Sequence, residues 1–179
     1  DDLAFGKQRE IVETLSALGE PRARRLYLST IDTAGWLAKA GDATRRDSLP
    51  QDLAQAEMLL HDIRRYAPDP TLVPFLEELS TRYDGALTDL VCAALGRIGA
   101  PRSVPFLIAL LPEPMPGGRP GLPDKRAFSA LQALRQISGE NYDIKRAEWQ
   151  SWWETHRAEL ETRTKPPEGP AAGTGQDAP

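Results

Sequence analysis

VPFL stands at Val73 to Leu76 and again at Val104 to Leu107, 31 residues further on. A proline lies three residues upstream of each copy, Pro70 and Pro101. The apolar segments that precede the two copies align at the same offset: Ala56 with Leu87, Leu59 with Leu90, Leu60 with Val91, Ile63 with Ala94. A fixed period near 30 residues is the signature of stacked helical hairpins, none of which can bury its apolar face alone. Such an array offers a surface and carries no chemistry of its own. The period therefore predicts an architecture, not a partner.

Punctuation supports the helical reading. Leu53, Ala56, Leu60 and Ile63 share one face of a helix that Ser48 would cap, with Gln51 in capping-box position and Pro50 in the first turn. Asp69 and Pro70 start the next helix, whose inward stripe is Leu72, Phe75, Leu76 and Leu79. Leu87, Leu90, Val91, Ala94 and Ile98 follow on another, which Gly99 stops in the left-handed conformation. Pro101 opens a helix with Val104, Leu107, Ile108 and Leu111 facing inward. Pro74 and Pro105 fall just inside helix starts, where a missing N–H costs least. A more divergent copy opens the chain: GEPR at Gly19 to Arg22 matches GAPR at Gly99 to Arg102, and Ile11, Leu15 and Leu26 match Val91, Leu95 and Phe106.

The motif resembles the short HEAT repeats of bacterial proteins of the phycobilisome-lyase-like type. Pro101, Arg102, Val104, Pro105 and Leu107 match one half of that pattern, and Ala94, Leu95, Gly96, Ile98 and Gly99 the other. The resemblance implies a right-handed stack of antiparallel helix pairs used for protein binding. The expected fold is all-α, an α-solenoid of about four HEAT-like pairs over residues 1–164.

The period breaks once. Ala94, Leu95 and Ile98 recur as Ala133, Leu134 and Ile137, 39 residues on, and the surplus falls in Pro112 to Pro123. Five prolines and three glycines forbid regular structure there. Asp124 then caps a helix expected to bury Phe128, Leu131, Leu134 and Ile137. Trp149, Trp152 and Trp153 share a face of the last helix, with Leu160 extending it, and suit a closing cap over the open end of the stack. Residues 165–179 cannot bury a core and are expected to be disordered.

Composition narrows the function classes. A net charge of −4 gives no overall attraction to nucleic acid or anionic lipid. No apolar run approaches the ~18 residues that span a bilayer. Cys92 is the single cysteine, so no internal disulfide forms. Similar HEAT segments occur in the cytoplasm and behind signal peptides; the missing initiator methionine points to an exported or envelope protein, with the cytoplasm as the alternative.

Candidate sites are few. His61 and His156 lie apart on helix exteriors, without the three or four converging groups that a metal needs, so neither a metal nor a cofactor is expected. Cys92 falls on an apolar helix side and reads as a small buried thiol, not a nucleophile. Trp36 is either packing or a surface anchor. The pairs Arg24-Arg25, Arg45-Arg46 and Arg64-Arg65 read as solvated helix faces, with an acidic partner next and nucleic acid last. A structureless stretch of about 12 residues inside a compact domain is often functional. The best contact candidates are therefore Met115, Arg119 and Leu122 in the insertion, followed by Arg24 and Arg25. The expected function is a non-enzymatic scaffold that binds another protein through a concave face or the insertion. The alternatives are a tetrapyrrole lyase or chaperone, by association with the family, and a nucleic-acid-binding HEAT-like protein.

Overall fold

The structure, a computed structural model, describes residues 14, 28–29, 31–41, 49–66, 68–83, 85–113 and 124–164. Most of the divergent opening copy, the Ser48 cap, all but the first two residues of the insertion and the 165–179 segment lie outside them. Among the described residues every regular element is helical. These are α1 (Thr33–Gly41), α2 (Leu49–Tyr66), α3 (Val73–Arg82), α4 (Thr88–Ile98), α5 (Val104–Ala109), α6 (Lys125–Ser138) and α7 (Arg146–Thr164).

Both VPFL copies begin a helix, and each is entered through a 3-10 turn, Pro70–Leu72 and Pro101–Ser103. The sequence predicts a helix starting directly at the proline; the second proline of each copy changes that. An α-helical bond to the Pro70 carbonyl would need an N–H on residue 74, which is Pro74. The Val73 N–H takes that carbonyl instead, closing a tighter turn, and Val104 does the same with Pro101. The Asp69 carboxylate accepts from the Thr71 N–H at 2.9 Å and its hydroxyl at 2.7 Å, which fixes the first entry.

The other ends follow expectation. Gly99 (φ +70°) and Gly139 (φ +77°) close α4 and α6 in the left-handed region, each returning its N–H to the carbonyl four residues back. Asp124 caps α6 by accepting from the Ala127 N–H at 2.9 Å.

The helices form two layers. α2, α4 and α6 lie side by side in one, while α1 with α3 and α5 with α7 pack in the other. One continuous core runs between them, from Ala56 and Leu59 through Leu76, Leu95 and Leu107 to Leu134 and Trp149. The inward stripes of α2, α3, α4 and α5 are as expected, with Leu53, Leu90 and Ile98 half-buried. A buried hydroxyl pair, Ser80 and Thr88 at 3.0 Å, ties α3 to α4. Trp36 packs against the core, which decides its reading for packing.

Phe128 corrects one expectation. It is 52% exposed, and the face of α6 that goes inward is Ala127, Ala130, Leu131, Ala133 and Leu134. Both stripes have helical spacing. α6 meets α4 through Ala133 against Gly96, and Phe128, five residues earlier, lies about 140° round the helix from that contact, so the face that goes inward leaves Phe128 out.

The tryptophan face packs inward. Trp149 is fully buried, and its indole N–H donates to the Asp143 carbonyl at 2.9 Å. Tyr142 and Trp152 meet it edge-on, at 5.4 and 5.8 Å between centroids. Trp153 and Leu160 pack at the core margin. Arg146 secures the start of α7 by donating to the Ala109 carbonyl and to Glu113 at 2.6 Å.

Candidate functional site

The side-by-side layer leaves a groove of about 1460 Å³ across α2, α4 and α6. Its floor is made of small residues: Ala93 and Gly96 from α4 against Ala133 from α6. Gly96 is there because the helices touch. A Cβ built on it would lie 2.9 Å from the Ala133 Cα and 3.1 Å from its Cβ. Close contact at the floor splays the longer residues outward, where they become walls.

The walls are mainly cationic and polar. Arg64 and Arg65 come from the last turn of α2, and Arg97 from the last turn of α4. Lys125 and Phe128 come from the first turns of α6, with Ser129, Gln132 and Gln136 along its length. Lys125 is matched by Asp89, whose carboxylate lies 2.5 Å from its ammonium and also accepts from the Ser129 hydroxyl at 3.3 Å. That partner raises the Lys125 pKa. The three arginines are different. Among the described residues no carboxylate forms an ion pair with Arg64, Arg65 or Arg97, and Arg65 rests its guanidinium 5.0 Å from the Tyr66 ring centre. The one acidic residue in the lining, Asp62, is buried.

Met115, Arg119, Leu122, Arg24 and Arg25, the contact residues expected from sequence, lie outside the described residues. His61 is exposed and borders the groove. His156 is not a bare surface residue. It stacks on Trp152 at 5.1 Å and donates through Nδ1 to the Trp152 carbonyl at 2.8 Å. Cys92 is fully buried; burial first, and then the nearby Asp89 carboxylate, push its thiol up to about 12. Such a thiol is inert as a nucleophile near neutrality. Among the described residues there is no group of three or more His, Cys, Asp or Glu placed to hold a metal. No described helix is long and apolar enough to cross a membrane.

The groove is not legible in the sequence because its parts are dispersed along the chain. By sequence alone Arg64-Arg65 reads as one solvated pair, Arg97 has no distinguishing signal, and Phe128 belongs to an apolar stripe. The repeat register holds the missing signal. Residues 31 apart put Asp62 level with Ala93, and residues 39 apart put Ala93 level with Gln132 and Arg97 level with Gln136. All five line the groove.

The family model of the PBS lyase HEAT-like repeat matches residues 93–111. That span holds the second half of α4, the Pro101–Ser103 turn and α5, including the second VPFL. The chain thus carries a HEAT-like repeat, and it does so in the all-helical setting that such a repeat requires. No curated protein and no solved structure matches the chain.

Proposed function

We propose that this protein is a non-enzymatic interaction module, and that its docking surface is the groove across α2, α4 and α6. The observation that carries this reading is the groove's construction: three helices of one layer lend side chains to a single depression, with the large apolar Phe128 turned out of the core at its wall. Aromatic residues are enriched in protein contacts relative to the rest of the surface. Repeat arrays bind through such continuous faces because each repeat adds its own strip of surface. The insertion 112–123 is a second contact of the same partner in this reading, since in sequence it leads directly into Asp124 and Lys125, and Lys125 lines the groove.

A photo-crosslinking residue placed at Gln132, which is exposed within the groove, tests the proposal in extract of the native cell. The same residue at Glu154, exposed on α7, is the control. Protein adducts from position 132 and none from position 154 are expected. Equal adducts from both, or adducts from 154 alone, would move the docking surface elsewhere.

A further inference from the structure

We infer that the occupant of the groove is an acidic segment of a protein, an extended stretch with several Asp or Glu residues and one aromatic or aliphatic side chain. This inference rests on the docking surface proposed above and adds its chemistry. Charge is segregated on this protein. The chain as a whole has 22 Lys and Arg against 26 Asp and Glu. The groove lining inverts that balance, with Arg64, Arg65, Arg97 and Lys125 against the buried Asp62. Lys125 is already matched by Asp89. The groove therefore holds three guanidinium groups whose charge no described carboxylate meets.

The position of these arginines has a local cause as well, because cations in a last turn meet the partial negative charge of the helix end. That cause applies to each helix separately. It does not make the cations of α2 and α4 face one depression, which the stacking of the two helices does. Guanidinium forks pair with carboxylates in two-point geometry, so clustered arginines select carboxylates well.

Size favours an extended chain. Packed helices lie about 8–10 Å apart, so three in a row span about 20 Å. An extended peptide covers that distance with about six residues at 3.3–3.6 Å each. Phe128 stands at the α6 side and the arginines at the α2 and α4 side, so an apolar residue at one end and carboxylates at the other fit together. Gln132 and Gln136 between them can donate to and accept from peptide backbone. A nucleic acid would need a longer cationic strip than this groove offers: among the described residues only Arg64, Arg65 and Arg97 are lining cations without a carboxylate partner.

The experiment is selection of a random peptide library against the full chain, followed by binding measurements on resynthesised peptides. The expected peptides are rich in Asp and Glu and carry one aromatic or aliphatic residue. The Arg64→Gln, Arg65→Gln, Arg97→Gln triple variant should bind them about tenfold or more weakly, a loss of about 1.4 kcal/mol or more. Its helical circular dichroism and unfolding midpoint serve as the check that the fold survives. Selected peptides of neutral or basic composition, no selected peptide at all, or equal binding by the triple variant would overturn the inference. A single-stranded oligonucleotide that binds more tightly than the best peptide would overturn it in favour of nucleic acid. Cross-linking from Gln132 separates the two layers of the argument. Non-acidic peptides that cross-link there sink the acidic inference alone, whereas acidic peptides that bind without cross-linking there sink the groove itself.

Discussion

Gly96 on α4 and Ala133 on α6 are in direct contact: a Cβ added to the glycine would sit 2.9 Å from the Ala133 Cα. This contact sets the spacing of two helices in one layer and the depth of the groove floor. The same added atom would also meet the Gln136 Oε1 at 2.5 Å, but that is the end of a flexible side chain and can move. The Ala133 backbone cannot. Gly96→Ala should therefore cost about 1–3 kcal/mol, the usual penalty for overpacking. Gly99→Ala is the control, since a Cβ there meets nothing within 4 Å and only the positive φ is strained, at about 1–2 kcal/mol. Both variants should lower the urea midpoint. Only Gly96→Ala should also weaken ligand binding in the groove, because only it separates the helices that form the floor.

Leu107 and Phe128 give a direct comparison of buried and turned-out residues. Leu107 is fully buried in the core, so Leu107→Ala should cost about 2–5 kcal/mol. Phe128→Ser should change stability by about 0.5 kcal/mol or less, as exposed substitutions usually do. Chemical denaturation of both variants decides the matter. A Phe128 variant as damaged as the Leu107 variant would return Phe128 to the core, and the groove would lose its apolar anchor.

These two residues also show what is legible in the sequence. Leu107 is read correctly because its stripe recurs at Leu76, and repetition removes the ambiguity of a single apolar run. On α6 two stripes are possible, one through Phe128 and one through Ala127 and Ala130, and hydrophobicity alone prefers the phenylalanine. The choice is made by which face of α6 meets α4 and the core, a tertiary quantity that no local pattern contains. Gly99 and Asp124 are legible because capping is local chemistry. The 3-10 entries were within reach, because Pro70 and Pro74 stand four residues apart, the spacing at which the second proline deprives the first of its helical bond. The arginine cluster was not, because charge counted along the chain says nothing about which helices become neighbours.

Trp149→Ala should destabilise the α6–α7 end before the rest. Trp149 is fully buried beside Tyr142 and Trp152, and its replacement removes an indole hydrogen bond as well as that packing. The expected cost is about 3–5 kcal/mol. Hydrogen exchange should rise around residues 128–137 and 146–160 and much less around 33–38, since stacked repeats contact mainly their neighbours. Equal loss of protection everywhere would mean that the chain unfolds as one cooperative unit.

Cys92 predicts a specific alkaline behaviour. Its pKa is raised from 9.0 to about 12, mainly by burial, so the folded protein holds the thiol proton more tightly than the unfolded chain does. Stability from this group is complete below pH 9 and declines as the pH rises from 9 toward 12, because only the unfolded chain then gains by ionising. Cys92→Ala should show a shallower loss of stability over that window than the native protein. Thiol reagents at pH 8 should leave the folded protein unlabelled and modify it fully in denaturant. Rapid labelling of the folded protein would show that the thiol is not enclosed between α4 and the core.

The insertion and the groove can be separated by one replacement. Exchanging residues 114–123 for a short Gly/Ser linker leaves Glu113 in place for its ion pair with Arg146 and leaves Asp124 to cap α6. Loop closure changes by only about 0.6 kcal/mol per doubling of length, so the unfolding midpoint should hardly move. The broken period argues the same way, since the two VPFL copies keep a 31-residue spacing without any insertion. Partner cross-linking from Gln132 should persist in the shortened protein, because Arg64, Arg65, Arg97 and Phe128 are all retained. A moderate loss of affinity would measure what Met115, Arg119 and Leu122 add as a second contact. Complete loss of the Gln132 adduct at native stability would reverse the assignment: the insertion would hold the partner, and the groove would be only the surface beside it.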